Sequence, residues 1–410
     1  MTKQERQGWM IVASLFVTLL IVFGGGYNTF GVFFTPLLNQ FGWSRAQLST
    51  LQSALAISAG FAAPLIGWLL DRVEARIVIA IGAALAGLAY LGASQATSYV
   101  PMLVCYALLG LGVGGATLLP CSLVVANWFK ANRGLALGVT FAGTSIGGML
   151  MTLVANYAIA FGGWRAGYIA LAVPMIIVVI PLALFVVRTR PANPEQLTVS
   201  QQADLLPGLE LRAAVRTRSF WMLAIVQFVF AFAAAGTGAH LIAYLIGLGY
   251  TASAGALVVS LVFLFTSFGK LVMGRAADRV SGRATLAINF LGAAVGISVL
   301  LGVTNAPMIV LFVLIFGFTL GGPLVLVPVV MAESLGLKRF GTLAGVTVVL
   351  NTVGGAVGPI AAGRIFDLTG SYTIAFEVFV GALLIGVVAS MLCLPLHAEE
   401  SRLERALASA

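Results

Sequence analysis

The chain has 410 residues, 60% of them hydrophobic and 9% charged, with a formal net charge of +9. An ordinary soluble domain is about 25% charged, so this composition excludes a water-borne globular protein. The positive charge alone would allow a nucleic-acid partner, but its placement along the chain argues against one.

A segment exposed to lipid must satisfy its backbone groups internally, so long apolar runs are read as helices, each needing roughly 20 residues to cross. Twelve such runs follow in chain order, at 9–37, 47–70, 77–95, 101–127, 135–160, 165–187, 219–246, 252–277, 284–303, 306–334, 341–366 and 371–394. The first is longer than a signal-peptide core and leads straight into further spans, so it is expected to stay in the mature protein. The fold class is therefore an all-α membrane protein with twelve transmembrane helices in two six-helix pseudo-repeats. The expected domains are an N-terminal bundle at 1–187, a cytoplasmic linker at 188–218, a C-terminal bundle at 219–394 and a cytoplasmic tail at 395–410. The linker carries Pro191, Pro194 and Pro207, with a short surface helix expected near 209–215.

With the N-terminus in the cytoplasm, 18 of the 22 Lys and Arg fall in the termini and the even-numbered loops, leaving Arg45 and Arg165 outside and Lys270 and Arg364 within helices. Positive residues are retained on the cytoplasmic side. Both termini are thus expected inside, in a bacterial inner membrane, and the basic balance reads as a topology signal in a lipid environment. Cys105 and Cys121 lie about 24 Å apart along one helix, too far to bridge, and Cys393 stands alone. No metal-type Cys/His spacing occurs and no cofactor is implied.

An internal repeat organises the chain. Gly67, Asp71, Arg72, Val73 and Arg76 recur as Gly274, Asp278, Arg279, Val280 and Arg283, a displacement of 207 positions. The same displacement relates Gly42 to Gly249, Gly138-Val139-Thr140 to Gly345-Val346-Thr347, and Gly147-Gly148 to Gly354-Gly355. Parallel six-helix repeats joined by a cytoplasmic linker are the plan of one large transporter class, in which the solute site lies near the bilayer midplane.

The stretch from Gly67 to Arg76, and its copy from Gly274 to Arg283, resembles the loops between helices 2 and 3 and between helices 8 and 9 of the major facilitator superfamily. The resemblance covers almost the whole chain. Phe41-Gly42-Trp43-Ser44-Arg45, His240 to Leu245, and Phe366 to Tyr372 are similar to the bacterial monocarboxylate and oxalate/formate porter branch. The resemblance implies a monomeric alternating-access transporter of a small carboxylate solute. It also implies that Asp71, Arg72, Arg76, Asp278, Arg279 and Arg283 form a conformational latch at the cytoplasmic helix ends; the plainer reading is that they anchor topology.

Ionisable residues within the membrane are expensive and become functional candidates. Lys270 lies eight residues before Asp278, about 12 Å from the cytoplasmic end of its helix, too deep for easy snorkelling. In the resembled branch a Gly-Arg pair at this spacing supplies an arginine for the substrate carboxylate; here the pair is Gly269-Lys270, which keeps the charge and loses the planar fork. The bland alternative is a lysine stretching to the interface. His240, Tyr27, Asn28 and Tyr244 lie at depths suited to a central cavity, and Asn351 is a weaker candidate. A lone histidine in an apolar helix is as often a satisfied interhelical hydrogen bond as a ligand contact. Arg364 and Asp367, three residues apart, are expected to pair locally.

None of the 13 acidic residues falls near mid-membrane, Glu333 and Glu377 coming closest. If transport is proton-coupled, His240 or Lys270 must carry the proton. Helix 11 lacks the mid-helix lysine by which oxalate-exchanging members of the resembled branch carry a second positive charge, and the resemblance therefore implies that a dicarboxylate is disfavoured. Two other transport readings remain open: an exporter of drugs or amphipathic compounds, weakened because helix 5 lacks the exporters' proline before Gly147-Gly148, and a carrier of a larger anion such as an aromatic acid or siderophore. A membrane enzyme would need catalytic groups clustered at one depth, and the sequence shows none.

Overall fold

A computed structural model describes residues 3–190 and 199–408; the linker stretch with Pro191 and Pro194 lies outside the described residues. Among the described residues, eleven helical runs are long and apolar enough to cross a membrane, and the fifth, Arg133–Phe185, holds two spans. Gly162 and Gly163 leave helical geometry there, Gly163 at φ +71°, where a side chain would be strained. The twelve helices are α1 (Gln4–Phe41), α2 (Arg45–Leu70), α3 (Ala75–Gln95), α4 (Tyr99–Trp128), α5 (133–161), α6 (164–185), α7 (Arg218–Gly247), α8 (Ala252–Arg279), α9 (Gly282–Leu301), α10 (Ala306–Ser334), α11 (Phe340–Thr369) and α12 (Thr373–Leu392). A tail helix, α13, follows at Leu396–Ala408. The linker helix expected at 209–215 forms as a single turn, Leu211–Ala214.

Local chemistry sets the helix ends. Ser44 and Gln47 form a reciprocal capping box at the start of α2. Thr217, Thr251, Ser281 and Asn305 each accept an amide at the starts of α7, α8, α9 and α10. The repeat reappears in the backbone: Gly42 and Gly249, 207 positions apart, both adopt positive φ, +65° and +93°. It reappears in packing too. A Cβ on Gly147 would collide with the Leu20 carbonyl, and one on its repeat mate Gly354 with the Phe228 carbonyl, so α1–α5 and α7–α11 approach backbone to backbone.

The chain divides into two compact units. Unit 1 comprises Met1–Lys130, Val139–Leu205 and Gly341–Gly345; unit 2 comprises Ala131–Gly138, Leu206–Phe340 and Val346–Ala410. The first turns of α5 and α11 therefore belong to the other unit from the rest of their helices. In unit 1 the core is built on Tyr90, Tyr106 and Tyr168, all buried, with Tyr168 stacked on Phe33 at 4.1 Å and hydroxyl-bonded to Tyr106 at 2.9 Å. In unit 2 Phe290, Phe312, Phe376 and Phe379 fill the same role.

Candidate functional site

Three charged side chains are buried among the described residues: Asp71, Lys270 and Glu399. Glu399, on α13, accepts from the amide and the hydroxyl of Ser219 at 2.9 and 2.5 Å and so closes the start of α7. Asp71 serves backbone amides, as described below. Lys270 is the buried cation, 2% exposed on α8. Glycines make its room: a Cβ on Gly138 would lie 2.6 Å from the Lys270 carbonyl, and one on Gly321 would lie 2.9 Å from its Cγ. Gly269 lets α8 close on the Phe318 carbonyl of α10. One turn earlier the Thr266 hydroxyl donates to the carbonyls of Val262 and Gly317 at 2.8 and 3.1 Å, tying α8 to α10. Lys270 is thus enclosed by neighbouring helices rather than exposed on the side of α8.

His240 on α7 is half-buried and has partners on both ring nitrogens. Nε2 lies 3.0 Å from the Pro359 carbonyl and Nδ1 lies 3.1 Å from the Tyr372 hydroxyl. A carbonyl only accepts, so the fitting tautomer carries its proton on Nε2 and accepts from Tyr372 at Nδ1. His240 thus joins α7 to α11. Tyr244, one turn on, donates to the Leu300 carbonyl at 3.1 Å and packs edge-on against Phe376.

Tyr27 and Asn28 sit at a discontinuity in α1, which runs through a π-turn at Leu19–Phe23 and breaks at 28–29. Side chains from other helices of unit 1 take up the displaced carbonyls: Tyr90 donates to Gly25 at 2.6 Å, Gln52 to Tyr27 at 3.2 Å and Thr152 to Asn28 at 3.5 Å. The Asn28 side chain is exposed and lies over Gly148. Asn351 donates to the backbone and side-chain oxygens of Gln227 at 3.2 and 3.4 Å. Gln52 and Gln227 escaped the sequence reading, which weighed charge first; an uncharged amide in an otherwise apolar helix was the signal. Arg364 and Asp367 form no ion pair among the described residues, contrary to expectation, and both are exposed.

The aspartates of the repeat each sit on a helix start. In unit 1 the Asp71 carboxylate, 2% exposed, accepts from the amides of Gly341 and Thr342 at 3.0 and 2.9 Å and from the Thr342 hydroxyl at 2.6 Å. In unit 2 Asp278 accepts from the amides of Gly134 and Leu135 at 2.7 and 2.8 Å. The two donor pairs are themselves 207 positions apart. A carboxylate at the first turn meets both the orphan amides and the positive end of the helix dipole. The arginines do other things: Arg72 lies over its own Trp68 ring at 4.1 Å, Arg76 pairs with Glu74 at 3.0 Å, Arg283 reaches the Cys393 carbonyl at 3.4 Å, and Arg279 is exposed.

Comparison with known proteins agrees with this layout. A sequence profile of the Major Facilitator Superfamily matches residues 15–262 and again 247–409. YcxA of Bacillus subtilis, an uncharacterized MFS-type transporter, is 24% identical over 391 residues, 93% of this chain and 94% of that protein. Monocarboxylate transporter 13 of Rattus norvegicus is 27% identical over 398 residues, 95% and 89% of the two chains. The crystal structure of the transporter FucP in the outward conformation shares the fold, with a TM-score of 0.71 at 16% identity over 94% of this chain and 99% of that one.

Proposed function

The chain belongs to the major facilitator superfamily, a multi-pass membrane transporter, and on that premise we propose that it moves a small organic monocarboxylate by alternating access, together with a proton. The observation that carries the reading is Lys270, a cation 2% exposed in the interior of α8. A charge in low dielectric attracts an anion far more strongly than the same charge in water. A lysine offers a compact point charge in place of arginine's fork, which suits one carboxylate. Relatives named as monocarboxylate transporters support the same solute class.

Lysine also titrates, as arginine does not. A neutral Lys270 that takes up a proton and an anion together changes no net charge in the membrane, which makes symport the economical cycle. Within the unit that holds Lys270, Tyr244 supplies a polar contact for the rest of the solute, with His240 and Asn351 bracing the helices around it. Asp71 and Asp278 latch the starts of α11 and α5, flanked by Arg72, Arg76, Arg279 and Arg283. The distribution of Lys and Arg favours a cell inner membrane with both termini cytoplasmic.

A thermal-shift panel of mono-, di- and aromatic carboxylates on the purified protein tests the solute class, because a ligand that binds only the folded state raises its apparent stability. The expected result is stabilisation by a monocarboxylate that disappears in Lys270→Ala. Stabilisation only by neutral or cationic compounds overturns it in favour of an exporter. Uptake of the carboxylate found in this way, followed against pH, separates the proton role: Lys270→Arg is expected to flatten the profile, and an unchanged profile removes Lys270 as the proton carrier.

A further inference from the structure

The linker is fastened to the loop that begins α11. Gly208 and Gly336 form an antiparallel bridge, with Leu209 donating to the Leu335 carbonyl at 3.0 Å and Leu337 donating to the Pro207 carbonyl at 2.9 Å. The approach is as close as backbone allows: Gly336 has φ +81°, and a Cβ there would run into Gly208 and the Pro207 carbonyl. Immediately beyond the bridge, Glu210 receives Lys338 at 3.2 Å on one carboxylate oxygen and Arg339 at 3.0 Å on the other. Arg339 is two residues before Gly341, whose amide, with that of Thr342, is held by Asp71. The side chain between them on the chain, Phe340, is fully buried.

The repeat-related loop before α5 is held by different contacts, among them Trp128 donating to the Arg188 carbonyl at 2.8 Å. There Arg275 donates to the Asn132 side chain at 2.6 Å, and Asn132 itself takes positive φ, +58°. The two helix starts share a cap and differ in what holds the residues leading into it.

We propose that residues 207–210 are a strap and that Glu210 is a positioning residue of the latch: by holding Lys338 and Arg339 it sets the first turn of α11 where Asp71 can cap it. The inference rests on the reading of Asp71 as a latch residue. A cap depends on two amides pointing together at one carboxylate, and those amides are fixed by the dihedral angles of the residues just before them. An ion fork at a loop contributes modestly to global stability, but its effect is concentrated on that local geometry.

Hydrogen–deuterium exchange on the full chain in detergent at neutral pH tests this. Asp71→Asn is the reference: it is expected to speed exchange at Gly341 and Thr342, and no change there would sink the latch reading itself. Glu210→Ala is expected to speed exchange at 207–210 and, by about threefold or more, at Gly341 and Thr342, leaving Gly134 and Leu135 unchanged. Gly336→Ala dislodges the strap by a different route and should do the same, which covers the case of a Glu210 variant that does not fold. Glu210→Lys combined with Lys338→Glu and Arg339→Glu should restore slow exchange, as a general loss of stability would not. With Asp71→Asn responding, unaltered exchange at Gly341 and Thr342 in both Glu210→Ala and Gly336→Ala overturns the strap, and so does a change that spreads equally to Gly134 and Leu135.

Discussion

Asp71 and Asp278 occupy repeat-related positions and make the same bond to the same pair of backbone amides, yet their surroundings have diverged. Asp71 is buried and has a third donor in the Thr342 hydroxyl; Asp278 is half-buried and its second amide belongs to Leu135, which has no hydroxyl to give. The loop before one cap is tied to the linker through Glu210, and the loop before the other meets Arg275 through Asn132. Duplication preserved the geometry that any helix start offers a carboxylate. It did not preserve strength, because strength comes from burial and from side chains that each copy acquired separately.

The largest expected break in the comparison is between Asp71→Ala and Asp278→Ala. Removing a buried carboxylate that satisfies three donors should cost about 3 kcal/mol, and removing the half-buried one about half as much, from charge-assisted hydrogen bonds lost; chemical unfolding in detergent measures both. Equal losses would show that burial is not what separates the two caps. Thr342→Val makes the first cap resemble the second and should cost about 1 kcal/mol by the same measurement.

The smallest effect concerns the strap. Burial raises the Glu210 carboxyl, but hydrogen bonds from Arg339 and Lys338 outweigh it and hold the group below the ordinary carboxylate range. A depressed acid contributes fully above its unfolded value of about 4.3 and loses that contribution as pH falls through the lower folded value. Pepsin, active in that acid window, should therefore cut the strap increasingly as pH drops below about 4, and Glu210→Gln should be cut at a rate that no longer rises in this way. Added salt at neutral pH should weaken the exposed fork in the same direction.

Much of this arrangement is legible in the chain, and the part that is not has a physical reason. The twelve spans follow from apolar length, and the duplication from one offset. The aspartates stand out because they recur. Their partners do not, since a backbone amide leaves no mark on the residue that carries it, and Gly341 and Thr342 are 270 and 271 positions from Asp71. Lys270 was visible as a charge where charge is costly. His240 was visible too, but its bonds to Pro359 and Tyr372 depend on helices brought together by packing. Gln52 and Gln227 are less visible because an uncharged amide costs less to bury than a charge, and their partners, the Tyr27 carbonyl and the Asn351 amide, meet them only once α1 breaks and α7 meets α11. The strap was hidden more completely, as a glycine pair is common and only the fold brings Gly208 to Gly336.

The division of α5 and α11 between the two units has a consequence for any attempt to produce the protein in pieces. A fragment ending in the linker would carry Asp71 without the amides of Gly341 and Thr342, and the complementary fragment would carry Asp278 without those of Gly134 and Leu135. Each half supplies what the other is missing, so the two made together should reconstitute a protein that neither can imitate alone.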